Sequence, residues 1–353
     1  MWIDRTEIME NKMKKILTAC LVTALALTVT ACTSQENRQV ENPPKVIFVT
    51  AAGGLNDGGQ NDDIYEACSD AAREYGADMR CLESKTGTDV AANVEAASDD
   101  LPAAVVTSGA DGAKAVETAA KSHKDINYIV LDTKVKADNV SSLIFSNQDA
   151  AFLAGVAAAD KSSTGKVGII MDNSTAQDAY YYGFTAGAET GKAGTTVTQV
   201  YVTAGGTDTD GMNAAKKLSA AGCDIVFTTT HTGQSGVLRY AELKDMKVIT
   251  VSRGGEGDDE DDDDNSALMG AVETDIEDAL NEEIRDAVKG RFSGGVKTFG
   301  LKGDMVSFEG ENGFSDSDEN AIERWEHKIM SGKIDVPATK AEFAQFDPSE
   351  FRK

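Results

Sequence analysis

Short β-branched runs recur along the chain at Val46–Thr50, Met79–Leu82, Ala104–Thr107, Tyr128–Asp132 and Ser142–Phe145. Stretches of helical spacing separate them. Ile64, Ala67, Cys68, Ala71 and Ala72 fall at three- and four-residue intervals, which predicts one apolar face of a helix, and Val116, Ala119 and Ala120 repeat the pattern. A second series follows at Val167–Met171, Val197–Val202, Ile225–Thr229, Val248–Val251 and Ala267–Val272, with helical patterns around Tyr180–Thr190 and Met212–Ala221. Strands alternating with helices imply parallel sheets covered on both faces. Two such series imply two doubly wound parallel-sheet lobes around a cleft, because ligands of open α/β sheets sit at the carboxyl ends of strands.

The N-terminus has a different pattern. Lys14 and Lys15 precede Ile16–Ala31, a stretch without a charge that is short for a spanning helix, which needs roughly 20 apolar residues. A basic start, an apolar middle and small residues at the end read as a secretory signal. It closes on Val29-Thr30-Ala31-Cys32, which resembles the lipobox of bacterial lipoproteins, where the cysteine receives the lipid. The expected organisation is a signal peptide over 1–31 and a lipidated Cys32 with a polar tether over 32–44. The first lobe is expected over 45–146 plus about 274–291, and the second over 147–273 plus about 292–353. The tether reaches at most about 40 Å at roughly 3.3–3.6 Å per residue, enough to hold the body over a membrane partner.

Composition narrows the function. The 353 residues carry 34 Lys and Arg against 59 Asp and Glu, a net charge of −25. Four basic and three acidic side chains lie before Cys32, so the acidity belongs to the rest of the chain. This argues against nucleic acid as a partner. Of five cysteines, Cys20 leaves with the signal and Cys32 is the lipidation candidate. Cys68, Cys81 and Cys223 remain, an odd number. A Cys68–Cys81 bridge and buried free thiols are both open readings. No Cys/His spacing marks a metal site, no cofactor motif is present, and no nucleophile arrangement points to an enzyme. Glu256–Asp264 carries eight acidic residues and one glycine; a self-repelling solvated loop at the rim of the cleft and a loose calcium site of hard oxygen ligands are both open readings.

Candidate ligand contacts come from loops after strands. Gly53-Gly54-Leu55-Asn56-Asp57-Gly58-Gly59-Gln60-Asn61 follows the first strand, with glycines that allow close backbone approach. It lacks the spacing of a dinucleotide fingerprint. Thr203–Gly211 and Thr228–Gly236 are similar loops in the second series.

These residues, with Phe145–Ala158, Thr164–Gly168, Tyr182–Gly187, Gly222–Phe227 and Thr232–Val237 in order, resemble the basic membrane protein family of ABC-transporter substrate-binding lipoproteins. The resemblance covers about Lys45 to about Val336. It implies a type 1 periplasmic-binding-protein-like fold, capture of a small polar solute, usually a purine nucleoside, and delivery to an ABC permease from a lipid anchor on the bacterial cell membrane. By resemblance the ligand-binding positions are Asp57, Gln60, Asn61, Asp132, Gly205, Thr232, Gly233, Ser252 and Glu273. Several depart from the family pattern. Gln60 and Gly205 stand where two stacking phenylalanines are expected, Ser252 where an aspartate is, and Glu273 where a lysine is. These departures point to a polar neutral or cationic solute over a purine. The alternative is a ligand-silent or sensory surface lipoprotein that keeps the fold.

Overall fold

The computed structural model describes residues 42–56, 59–172, 177–203, 206–231, 233–251 and 266–352. The expected signal peptide, Cys32 and most of the tether lie outside these residues, as does the acidic run 256–264. From Pro44 onward the chain forms one compact unit.

The first series builds β1 (Lys45–Ala52), α1 (Gln60–Tyr75), β2 (Asp78–Ser84), α2 (Gly87–Asp99), β3 (Ala104–Ser108), α3 (Gly109–Ser122), β4 (Asn127–Leu131) and β5 (Val140–Phe145). The second builds α4 (Asn147–Lys161), β6 (Lys166–Asp172), α5 (Asp178–Gly191), β7 (Thr196–Val202), α6 (Asp208–Ala221), β8 (Ile225–Thr228), α7 (Gln234–Leu243), β9 (Lys247–Val251) and β10 (Leu268–Thr274). The chain ends with α8 (Ile276–Val288), β11 (Gly295–Phe299), β12 (Val306–Gly310), α9 (Asp316–Met330) and the short α10 (Lys340–Phe343).

Two six-stranded sheets result, in the orders β11-β5-β4-β3-β1-β2 and β12-β10-β9-β8-β6-β7. Every pairing is parallel except β10 with β12. Strand alternation sends neighbouring side chains to opposite faces. Ile47 and Val49 pack with Val90, Val94 and Val116 of α2 and α3. Val46 and Phe48 join Ile64 and Cys68 of α1 and Leu280 and Ile284 of α8 on the other face. This double burial explains the nearly unbroken apolar runs of the central strands. Cys68, Cys81 and Cys223 are free thiols, and burial raises the first two above the ordinary thiol range, Cys81 to about 11.

Helix α4 is the keystone of the second lobe. Every residue from Ala150 to Ala159 is buried, so the helix has no solvent stripe over that stretch. It lies against α5 with side chains removed at the contact: a Cβ on Gly155 would collide with the Phe184 carbonyl, and one on Gly187 with the Phe152 carbonyl. Helix α9 covers it from outside, with Trp325 edge-on to Phe152 at 6.1 Å.

One expected boundary is corrected. Strand β11 pairs with β5 in the first sheet, so residues 295–299 belong with the first lobe and not with the second. Without β11, β5 would present an unpaired edge. The chain therefore passes between the sheets after Phe145, after Thr274 and after Phe299. These passages are bonded to one another: Ser146 N–H donates to Phe299 O at 2.8 Å, Asp275 N–H to Met305 O at 2.9 Å, and Thr274 Oγ1 to Asn147 Oδ1 at 3.0 Å.

Candidate functional site

The turn after β1 is set by Asn61. Its Oδ1 accepts from Ala51 N–H at 2.9 Å, and its Nδ2 donates to Gly54 O at 2.9 Å. The side chain is buried, so both ends of the amide serve the loop. Asp62 Oδ1 accepts from Asn56 N–H at 2.8 Å, which holds Asn56 in its left-handed conformation at φ 68°. Gln60, one residue earlier, projects from the start of α1, and its Nε2 donates to Asp132 Oδ2 at 2.6 Å.

Asp132 follows the last residue of β4 at φ 62°, a conformation that aspartate tolerates better than most residues. Its N–H donates to Leu143 O at 2.8 Å. Solvent reaches the carboxylate, yet protein surrounds it closely. That burial raises its pKa, and the Gln60 hydrogen bond opposes the rise.

The second lobe meets this point through Tyr180, on the first turn of α5. Burial and the nearby Asp132 charge both raise the Tyr180 phenol, and Thr274 lies within hydrogen-bonding reach of its hydroxyl. Tyr180 also packs edge-on to Phe227 of β8, with ring centroids 6.2 Å apart. The Asp132 carboxylate, after the end of β4, is thus close enough for its charge to act on the phenol of Tyr180, which follows β6. Segments after strand ends are where ligands of open α/β sheets bind.

Two amides stand nearby in the chain's logic. Gln177, the residue before α5, and Gln234, the first of α7, follow the ends of β6 and β8 and have buried Oε1 atoms without a hydrogen-bond partner. Gly233 precedes α7 at φ 83° and accepts from Val237 N–H at 3.1 Å; a side chain there is strained, and its space is taken by Gly211 and Thr207.

Glu273 lies elsewhere. It pairs with Ser307 across β10 and β12 and lines a cavity of about 450 Å³ with Asp275, Asp304, Glu309 and Glu326. No lysine or arginine lines it, and burial with the Asp304 charge raises the Glu326 carboxyl. None of Gln60, Asn61, Asp132 and Gly233 borders this cavity. The structure thus brings Gln60, Asn61 and Asp132 together, while Glu273 lines this cavity with Thr274, the residue within hydrogen-bonding reach of Tyr180. Asp57, Gly205, Thr232 and Ser252 lie outside the described residues.

Tyr180, Thr274, Gln177 and Gln234 were not singled out in the sequence. Gln177 and Gln234 follow strand ends, and that position was the available signal. Tyr180 reads in sequence as part of a helical face.

Residues 44–340 match the family model Bmp, described as ABC transporter substrate-binding protein PnrA-like. That span takes in all the strands of both sheets. The chain belongs to this family. Among curated Bmp relatives, the ABC transporter nucleoside-binding protein BmpA of Lactococcus lactis is 26% identical, over 92% of this chain and 100% of that protein. Basic membrane protein A of Borreliella burgdorferi is 24% identical, over 95% and 98%. Among solved structures, an ABC transporter solute-binding protein from Aeropyrum pernix K1 superposes with a TM-score of 0.75 at 19% identity, covering 88% of this chain and 98% of that one. A transcriptional activator of the comK gene from Bacillus halodurans shares the fold at a TM-score of 0.67 and 19% identity, covering 83% and 99%. The Bmp fold is that of periplasmic-binding-protein-like solute-binding proteins, two parallel-sheet α/β lobes. Among the described residues, no helix is long and apolar enough to cross a membrane.

Proposed function

We propose that this Bmp-family chain is an extracytoplasmic lipoprotein, anchored through Cys32, that captures a small polar solute between its lobes and presents it to an ABC permease. The observation that supports the reading is the Gln60–Asp132 hydrogen bond after the end of β4, with the Asp132 charge acting on Tyr180 of the second lobe. Asp132 offers charge and hydrogen-bond acceptors, Gln60 an amide, and Tyr180 a ring face and a hydroxyl. Closure of two lobes around such a set needs no covalent chemistry; solute that contacts both lobes favours the closed form. Asp57, Thr232, Gly233 and Ser252 are proposed to contribute from the adjoining loops. The family and the Lactococcus relative support a nucleoside, while the Asp132 carboxylate and the net acidity of the chain support a neutral or cationic solute over an anion.

Titration calorimetry with inosine, adenosine and guanosine, beside a panel of sugars, amino acids and polyamines, tests the proposal. Weak or no purine binding and a clear heat with a neutral or cationic solute are expected. Sub-micromolar affinity for a purine nucleoside overturns the assignment of ligand class. Cys32→Ser should release the protein from the membrane or leave it unprocessed; unchanged fractionation and migration overturn the anchor.

A second reading is a sensory or ligand-silent surface lipoprotein. The Gln60–Asp132 bond favours it, because the two side chains already satisfy part of each other's hydrogen-bonding capacity. Absence of a thermal shift across the whole panel supports it over transport.

A further inference from the structure

The amino ends of the strands of the first sheet carry a separate cluster. Helix α2 runs down to β3 and α3 runs down to β4, so their C-terminal turns lie at the opposite end of the sheet from Asp132. Glu95 and Asp99 stand one turn apart on α2, a spacing that puts both carboxylates on one side of the helix. His123 is the residue that closes α3. One ligand atom from each of the three lies within 4.8 Å of the others.

The histidine sets this apart from an ordinary acidic patch. Its side chain is only 19% exposed, whereas that of Glu95 is 56% exposed, and Nε2 stands 3.1 Å from Glu95 Oε1. The backbone beneath it is fixed: His123 N–H donates to Ala119 O at 2.9 Å, and His123 O accepts from Asn139 Nδ2 at 3.1 Å and from Ile126 N–H at 3.2 Å. The imidazole is therefore presented from a rigid helix end, in the seam between two packed helices.

We propose that Glu95, Asp99 and His123 form a surface site for a borderline divalent cation, Zn²⁺ foremost, that clamps α2 to α3. Zinc takes imidazole nitrogen at about 2.0–2.1 Å and carboxylate oxygen at about 2.0–2.2 Å. Two such ligands on one ion stand about 3–3.5 Å apart, the separation already present between Nε2 and Oε1. Imidazole disfavours the hard cations Mg²⁺ and Ca²⁺ relative to zinc. Three protein ligands leave a coordination position for water. The ion takes the place of the direct contact between His123 Nε2 and Glu95 Oε1, and the net acidity of the chain raises the local cation concentration.

The test is titration of the full-length mature protein with ZnCl₂ in a non-chelating buffer, with melting followed in parallel. Binding of a single equivalent and a raised melting midpoint are expected, undiminished by millimolar Mg²⁺. His123→Ala should abolish both, and Asp99→Asn should weaken binding by at least about tenfold. In EDTA Asp99→Asn should melt close to the parent, since Asp99 is exposed at the end of α2. Co²⁺ gives a second readout: the parent should show visible absorption from nitrogen ligation, and His123→Ala should not. No stoichiometric zinc binding by the parent, or binding unchanged in His123→Ala, overturns the proposal; the latter result moves the ion to the acidic run 256–264.

Discussion

Gln60 Nε2 and Asp132 Oδ2, 2.6 Å apart, tie the start of α1 to the end of β4. They come from segments 72 residues apart in sequence. Their bond fixes the direction of a carboxylate that also influences Tyr180 in the other lobe. Under the proposed function, a solute entering here competes with the Gln60 amide for Asp132.

Asp132→Asn tests that competition. Asparagine tolerates the left-handed backbone at this position, so the fold should be retained and the melting midpoint little changed. A charge-assisted hydrogen bond contributes about 1.5–3 kcal/mol, so affinity for a cationic solute should fall about 10- to 100-fold. Affinity of the parent for such a solute should also fall in acid, because burial raises the Asp132 pKa and protonation removes the charge. Calorimetry at two pH values checks both outcomes, and an unchanged affinity in the variant removes Asp132 from the site.

Gly155→Ala tests the packing of α4 on α5. In an exposed helix interior this change adds about 0.5–1 kcal/mol of stability. Here the new methyl group meets the Phe184 carbonyl, so the sign should reverse, with a loss of about 1–3 kcal/mol. Urea denaturation measures it. A stabilised variant would mean that the two helices separate without cost.

Asp149, in the first turn of α4, has a carboxyl pushed up to about 7 by burial and by the charge of Asp335. The unfolded chain releases that proton near pH 4. Between these values the folded state binds more protons, so the contribution of protonated Asp149 is complete below about pH 4 and is lost as pH rises toward about 7. Asp149→Asn should lose less stability than the parent between pH 5 and pH 8. Denaturation curves at both pH values give the comparison; parallel losses contradict the assignment.

Lys297 of β11 bonds Glu283 of α8, whose side chain is 3% exposed. Lys297→Ala leaves that carboxylate buried without its cation, at a cost of about 3 kcal/mol. Adding Glu283→Gln should restore much of the loss, because the uncompensated charge is then gone. Thermal melts of the single and double variants decide it.

The two lobes were legible because their strands are buried on both faces and so read as β-branched runs separated by helical spacing. Strand β11 was not. Its five residues include only one β-branched aliphatic, Val296, and that side chain is 45% exposed. Pairing with β5 makes it a strand, and pairing is a tertiary fact. The same division holds at the site. Asp132 stands directly after β4, and Gln60 and Asn61 open α1 after the glycine-rich segment that follows β1, positions the family resemblance marks. Tyr180 becomes a site candidate only because folding brings it within range of the Asp132 charge. Glu273 was named with Asp132 by the family resemblance; in the fold it lines a cavity together with residues of β12 and α9.

The three passages between the sheets, cross-bonded at Ser146–Phe299, Asp275–Met305 and Thr274–Asn147, have a mechanical consequence. A single linker lets two bodies turn about any direction, like a ball on a cord. Three short linkers side by side, fastened to one another, behave like a door hung on several pins: bending about their common line is easy, and twisting stretches at least one of them. These cross-bonds therefore favour bending of one lobe on the other about that line over twisting.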